Sequence, residues 1–200
     1  MKKIFILSAI LLFMSSFLYS TCPPGTGITI TYIYNNCTVS VTYCGYNYGN
    51  HYESVIDKIS VSPIGCIALN DPQLLSDAIN KVSKDIFNKY FTSTIPCDDI
   101  IPSNAFIYVK LYDCYQIENN PVIGQTTLIA CENSNFCMYC YKVCTDYSGA
   151  NPIKKIFYKY SFRVPTNDPC PMTFYEYINN VNFSEYWISP CLTINYDCLF

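Results

Sequence analysis

One histidine, one tryptophan and seven glycines are all that 200 residues provide of these types, and each shortage excludes something. With a single imidazole, any Ser–His–Asp or Cys–His mechanism must run through His51. Glu53 and Asp57 could orient that ring and Ser54 lies close in sequence, yet "YGNHYES" reads as a polar loop-to-strand segment, where a histidine is ordinarily solvated. Seven glycines leave little material for a phosphate-cradling loop, and no G-x-S-x-G elbow or H-E-x-x-H helix is present. Trp187 alone is thin provision for a glycan platform. The adjacent carboxylates Asp98 and Asp99 would point apart on an extended chain, so they read as solvated charges, at best part of a weak calcium site, rather than a glycosidase pair. Basic residues are few and scattered, without the stripe that phosphates require, so no nucleic-acid partner is expected.

The opening "MKKIFILSAILLFMSSFLYS" has Lys2 and Lys3 before an apolar run and then Ser15, Ser16 and Ser20, the layout of a secretory signal peptide over 1–20. The serines break the run short of the roughly 20 residues that cross a bilayer, and no later stretch is long enough, so no transmembrane segment is expected in the mature chain. Taking away Lys2 and Lys3 leaves 10 basic against 15 acidic side chains, a net −5. Cys22 has a lipidation reading as well, although "YSTC" puts Tyr19 and Thr21 where smaller or aliphatic residues are usual.

What the chain has in quantity is cysteine. All 13 follow the leader, at 22, 37, 44, 66, 97, 114, 131, 137, 140, 144, 170, 191 and 198. Disulfides persist in the compartments to which a signal peptide leads, so export and cysteine density support one conclusion. Cys37, Cys44, Cys66, Cys97, Cys114, Cys131, Cys137, Cys140, Cys144, Cys170, Cys191 and Cys198 are expected in bridges, and the odd thiol left by the count is a lipidated Cys22, a free buried cysteine or a bridge to another chain. The segment "CENSNFCMYCYKVC" (131–144) has one C-x2-C pair, not the two of a structural zinc site. Its Tyr139, Tyr141 and Val143 alternate as in a strand, which would put Cys140 and Cys144 on one face and Cys137 on the other. No metal or other cofactor is expected.

Periodicity predicts an α+β fold, mostly antiparallel β with two helices. "ITITYIY" and "CTVSVTYC" alternate about Asn35-Asn36 as a hairpin, and "YESVIDKISVS" holds a third strand. Residues 71–91 make a helix: Asp71 caps, Pro72 takes the first position, and Leu75, Ile79, Val82, Ile86 and Tyr90 share a face. A strand is expected over 105–117, a turn at "ENNPVIG", a hairpin from "QTTLIAC" and "FCMYCYKVC", and a long strand over 153–164 with Tyr158, Tyr160 and Phe162 on one face. Thr173 and Glu176 have capping-box spacing for a short helix over 173–183, and "TINYDC" reads as a closing strand.

The halves echo each other. Cys37/Cys44 and Cys137/Cys144 share a spacing, and "KISVSP" resembles "KYSFRVP"; a cysteine and then a capped helix follow each. This predicts two tandem strand–strand–strand–helix units, at 21–97 and 124–200, around a connector and strand at 98–123. Equivalent cysteines should then be paired equivalently.

Twenty tyrosines, many alternating along strands (Tyr32/Tyr34, Tyr46/Tyr48, Tyr139/Tyr141, Tyr158/Tyr160, Tyr175/Tyr177), suit half-exposed recognition surfaces as well as strand formation. The sequons at Asn36 and Asn182 matter only in a glycosylating host, and the Lys-Lys opening has a bacterial look. The expectation is a secreted, periplasmic or cell-surface protein, structural or adhesive, meeting a cell-surface component, a glycan or another protein. Two rivals are a secreted hydrolase using His51 or carboxylates, and a periplasmic thiol–disulfide protein using Cys137 and Cys140.

Overall fold

The computed structural model of the chain describes residues 22–49, 51–91, 96–97, 106–132, 134–166, 170–194 and 198. The expected leader over 1–20 and the pair Asp98-Asp99 lie outside them. Among the described residues the protein is mostly β, with ten strands in one sheet and two helices.

Strands β1 (Ile28–Tyr34) and β2 (Cys37–Asn47) form the expected hairpin, with Tyr34 opposite Cys37. Asn35 and Asn36 both have positive φ, 48° and 64°, the mirror-image turn that matches strand twist and that asparagine tolerates better than most residues with a Cβ. In β3 (His51–Ser62), Thr42 faces Lys58 and Tyr43 faces Ile56, so Asp57 is an extra, bulged residue. On the other edge of β3, His51–Val55 pair in parallel with β4 (Phe106–Tyr112), while Lys58–Val61 pair antiparallel with β6 (Gln125–Ala130). The sheet forks there. A bulge bends its strand and sharpens the twist, which turns the two halves of one edge toward different neighbours.

The expected single strand over 105–117 is broken at Asp113 into β4 and β5 (Cys114–Asn120). The step shifts the chain sideways and lets β6 enter between β5 and β3. Asp113 anchors it: its N–H donates to the Asn135 carbonyl (2.8 Å), and its own carbonyl accepts from the Ile194 N–H (3.0 Å). Glu118 to Asn120, expected in a turn, continue β5, and the turn occupies 121–124. The expected hairpin of "QTTLIAC" with "FCMYCYKVC" is corrected too. β6 pairs with β3 and β5, whereas β7 (Phe136–Asp146) pairs with β4 and β8 (Ile153–Val164).

Helix α1 (Pro72–Tyr90) starts as its sequence dictates, with the Asp71 carboxylate accepting from the Gln73 N–H at 2.9 Å. Its Leu74, Leu75, Ala78, Ile79, Val82 and Ile86 join Val41, Tyr43, Ile56, Val109, Tyr139 and Val143 in one core on one face of the sheet. The Tyr43 hydroxyl donates to Asp85 (2.5 Å), Tyr141 donates to Asn80 (3.1 Å), and Tyr52 stacks on Tyr90. Gly45 makes that stacking fit: a Cβ there would lie 2.4 Å from the Tyr52 ring. The short β9 (Met172–Thr173) runs parallel to β10 (Trp187–Thr193) and leads into α2 (Phe174–Ile178). The capping box of Thr173 and Glu176 forms as expected, but α2 has five residues where eleven were expected, because the turns over 179–185 take the chain to β10.

Twelve cysteines form six bridges: Cys22–Cys44, Cys37–Cys66, Cys97–Cys144, Cys114–Cys170, Cys131–Cys191 and Cys137–Cys198. The odd thiol is Cys140, not Cys22, because Cys22 reaches the side of β2 on which Cys44 points away from α1. A bonded sulfur leaves no place for a lipid. The tandem units are not found. Cys37 pairs with Cys66, but Cys137 takes Cys198 rather than Cys170, and Cys97 joins the proposed first unit to Cys144 of the second. What the halves do share is a hairpin, β2–β3 and β7–β8, each with an extra residue on its second strand.

Candidate functional site: an aromatic sheet face

Strand alternation that feeds one face of the sheet into the core turns the other residues of β3, β4, β7 and β8 away from α1. Register lines them up in rows across four strands. Glu53, Tyr108, Cys140 and Tyr160 form one row, and His51, Phe106, Lys142 and Phe157 a second. Val55, Lys110, Met138 and Phe162 form a third. α1 packs on the core side and α2 on β9 and β10, so neither helix covers this face.

The rows contain more aromatic surface than the tyrosine pairs alone indicated. Tyr158, Tyr160 and Phe162 were expected on one face of β8. Cys140 faces Tyr160 and Tyr141 faces Tyr158, so Lys159 is bulged and the alternation shifts by one residue. Tyr158 therefore turns to the core side, against Tyr141 with ring centroids 5.9 Å apart, and Phe157 takes its place on the outer face. Tyr160 and Phe162 lie 6.2 Å apart there and are 49% and 45% exposed. The other pairs sort similarly: Tyr139 and Tyr141 are core residues, Tyr32 and Tyr34 pack against the core, and Tyr46 and Tyr48 are exposed.

At the centre is Cys140, fully buried between its cross-strand neighbours Tyr108 and Tyr160. Burial pushes its thiol pKa up, so the reactive thiolate is disfavoured. Burial likewise pushes Tyr108 up to about 12. Beside this row the Lys110 ammonium lies 4.2 Å from the Tyr112 ring centroid and 3.9 Å from that of Phe136, and desolvation lowers its pKa. Cation–π contacts of this kind contribute about 0.5–2 kcal/mol, so Lys110 holds the two rings as a unit.

His51 sits at the rim, stacked on Tyr48 at 5.0 Å and edge-on to Tyr108 at 5.3 Å, with its Nε2 3.0 Å from Glu53 Oε1. Of its sequence neighbours the fold brings Glu53 to it. Ser54 points to the opposite side of β3 and donates to the Tyr108 carbonyl (3.1 Å), and Asp57 lies at the bulge, roughly 20 Å along the strand. Cys140 is two strands from His51, roughly 10 Å away, with β4 between them. Cys137 and Cys140 take opposite faces of β7 and Cys137 is bonded to Cys198, so the C-x2-C spacing does not form one dithiol.

Sequence reading missed Phe106, Tyr108, Lys110, Phe136 and Phe157 as parts of a surface. The alternation of "FIYVKLY" already sets Phe106, Tyr108, Lys110 and Tyr112 on one side. That β4 would lie beside β7 and β8 had no local signal. No protein-family model, no curated protein and no solved structure matches this chain.

Proposed function

We propose that this is an exported protein of the cell envelope or extracellular space that binds rather than catalyses, with the outer face of β3, β4, β7 and β8 as its contact surface. The observation that carries this reading is the Tyr108–Cys140–Tyr160 row with Phe106, Phe157 and Phe162 around it, on the side of these strands that, among the described residues, neither helix covers. Tyrosine and phenylalanine on rigid strands give contact area at small entropic cost, as a recognition surface requires. Six disulfides suit an oxidising compartment, and the leader-like opening supplies the route to it.

The test is retention of the purified protein on an isolated cell-envelope fraction and on insoluble glycans. Tyr160→Ala with Phe162→Ala should weaken retention about 5- to 150-fold, since two half-exposed rings at about 0.5–1.5 kcal/mol each sum to about 1–3 kcal/mol. Tyr175→Ala, on an exposed tyrosine away from this face, should change nothing. Unchanged retention in the double variant refutes the proposed surface, and turnover abolished by His51→Ala in a broad hydrolase screen refutes the non-catalytic reading.

A further inference from the structure

At the far end of β3 from His51 the turns after β1, after β3, between β5 and β6, and before β10 come together. Ser62 is seven residues beyond Val55, roughly 23 Å along the strand, so this pole is separate from the aromatic face. Ile33 pairs with Thr38, Thr38 faces Ser62, and the Ser62 hydroxyl donates to the Gly124 carbonyl (3.1 Å). Gly124 closes the β5–β6 turn, Pro121-Val122-Ile123-Gly124. On the other side of that turn Asn119 faces Trp187. The Asn119 amide donates to the carbonyls of Phe183 and Glu185 (3.0 and 2.7 Å), which fastens the 182–185 turn alongside. At the apex Val122 is 91% exposed and Ile123 62%, and Ile33 is 68% exposed.

Two properties of this pole fit one kind of surface. The first is charge. No Asp, Glu, Lys or Arg occurs in 28–50, 59–70 or 119–131, the stretches that form three of the four turns. Carboxylates border it: Asp71 and Asp77 within electrostatic reach of Tyr34, and Glu118 and Glu185 beside the turn before β10. Lys81 stands further back, 5.1 Å from the Tyr32 ring centroid. The second property is where the polar groups go. Pro121 has no N–H, its carbonyl accepts from the Gly124 N–H (3.3 Å), and the Gly124 carbonyl accepts from Ser62. The Trp187 N–H donates to the Asn182 carbonyl (3.1 Å) and the Tyr186 hydroxyl to Glu118 (3.2 Å). An apolar apex with these polar groups already engaged loses less on leaving water. A protein interface of ordinary size needs about ten direct hydrogen bonds, and this apex has turned its polar groups inward. Aliphatic tips backed by Trp and Tyr suit a bilayer interface, where such rings settle at headgroup depth.

We infer that this pole docks on the surface of a neutral, zwitterionic lipid bilayer, with Val122 and Ile123 inserted and Trp187 at headgroup depth. The inference goes beyond the binding reading above and concerns a different part of the molecule. Carboxylates at the border make an anionic bilayer the poorer host. The contact is interfacial and needs no spanning segment.

Trp187 is the only tryptophan, so its emission reports on this pole alone. The full disulfide-bonded chain is floated with phosphatidylcholine vesicles, and tryptophan fluorescence is followed with bromine-labelled lipid as quencher. Co-flotation, blue-shifted emission and quenching are expected. Val122→Asp with Ile123→Asp should weaken partitioning at least thirtyfold, because two largely exposed aliphatic side chains would no longer leave water. Val122→Leu with Ile123→Leu should preserve it. An unchanged urea midpoint shows that both variants are folded. Phosphatidylglycerol vesicles should bind no better than phosphatidylcholine ones. No flotation, flotation that survives the aspartates, or unquenched tryptophan in floated protein overturns the inference. So does binding that occurs only on anionic vesicles and is lost in salt. Dimerisation that the aspartates abolish, without flotation, makes a second copy the occupant and overturns it as well. Tyr160→Ala/Phe162→Ala should float like the unaltered chain; loss of flotation there moves the lipid contact to the aromatic face and overturns the inference. Retention on insoluble glycans tests that face separately, so either reading can fail alone.

Discussion

Two of the six bridges interleave so closely that removing them should be measurably non-additive. Cys131–Cys191 and Cys137–Cys198 run side by side: Cys137 is six residues after Cys131, and Cys198 is seven after Cys191. Counted alone, Cys137–Cys198 spans 61 residues and would restrict the unfolded chain by about 4.3 kcal/mol. With its neighbour intact, however, the unfolded chain is already clamped, and the second bridge closes a loop of only about 15 residues, contributing about 3 kcal/mol. The same holds for the neighbour. Once one is gone, the remaining bridge closes its loop through Cys114–Cys170, about 40 residues, and is worth about 3.9 kcal/mol. Thus Cys131→Ala/Cys191→Ala and Cys137→Ala/Cys198→Ala should each cost about 3 kcal/mol, and all four substitutions together about 7 rather than 6. The sulfur lost from the fully buried Cys137 site adds to the single and combined variants alike and drops out of the cycle. Non-reducing urea denaturation of the four proteins, with linear extrapolation, measures this. Strict additivity, or a coupling of opposite sign, refutes the interleaved pairing.

Alkylation followed by intact mass should find one reactive thiol in denaturant without reductant, at Cys140, and thirteen after reduction; under native conditions Cys140 should react far more slowly than after unfolding, since it is buried with a raised pKa. Tyr43→Phe should cost about 1.5–3 kcal/mol in the same denaturation assay, because the hydrogen bond that the Tyr43 hydroxyl donates to the Asp85 carboxylate is lost. Lys89 still holds Asp85, at 2.7 Å, so that carboxylate is not stranded. Asp146 accepts from Lys155 and from the Ser148 N–H, and these bonds hold its carboxyl well below the ordinary range. A folded-state pKa depressed in this way contributes stability that is present above the ordinary carboxylate pKa and lost as pH falls through the folded value. Asp146→Asn should therefore flatten the acid limb of a stability–pH curve below about pH 4 and leave its slope near neutrality unchanged.

Features written within a few residues of one another were legible in the chain. Asp71-Pro72 opening an amphipathic run gave α1 its start, Asn35-Asn36 between alternating segments gave the first hairpin, and Thr173 with Glu176 gave the cap of α2. The faces of β7 were readable as well, with Cys137 among the core residues and Cys140 opposite. Local propensity and side-chain period act over such distances and need no knowledge of neighbours.

What depended on neighbours could not be read in this way. The bulges at Asp57 and Lys159 each move half a strand's side chains to the other face, and with Lys159 go Tyr158 and Phe157. The step at Asp113 decides that β6 lies beside β3 and that β4 reaches β7, which brings Tyr108, Cys140 and Tyr160 into one row. Cysteine count and an exported look pointed to disulfides, but which sulfur meets which follows from strands brought together across as many as 61 residues. The sequence by itself determined the elements and their apolar sides, because those follow from short-range sterics and periodicity. Only the tertiary structure decided the order of strands, the pairing of sulfurs and the aromatic face, because each arises from contacts among segments far apart in the chain.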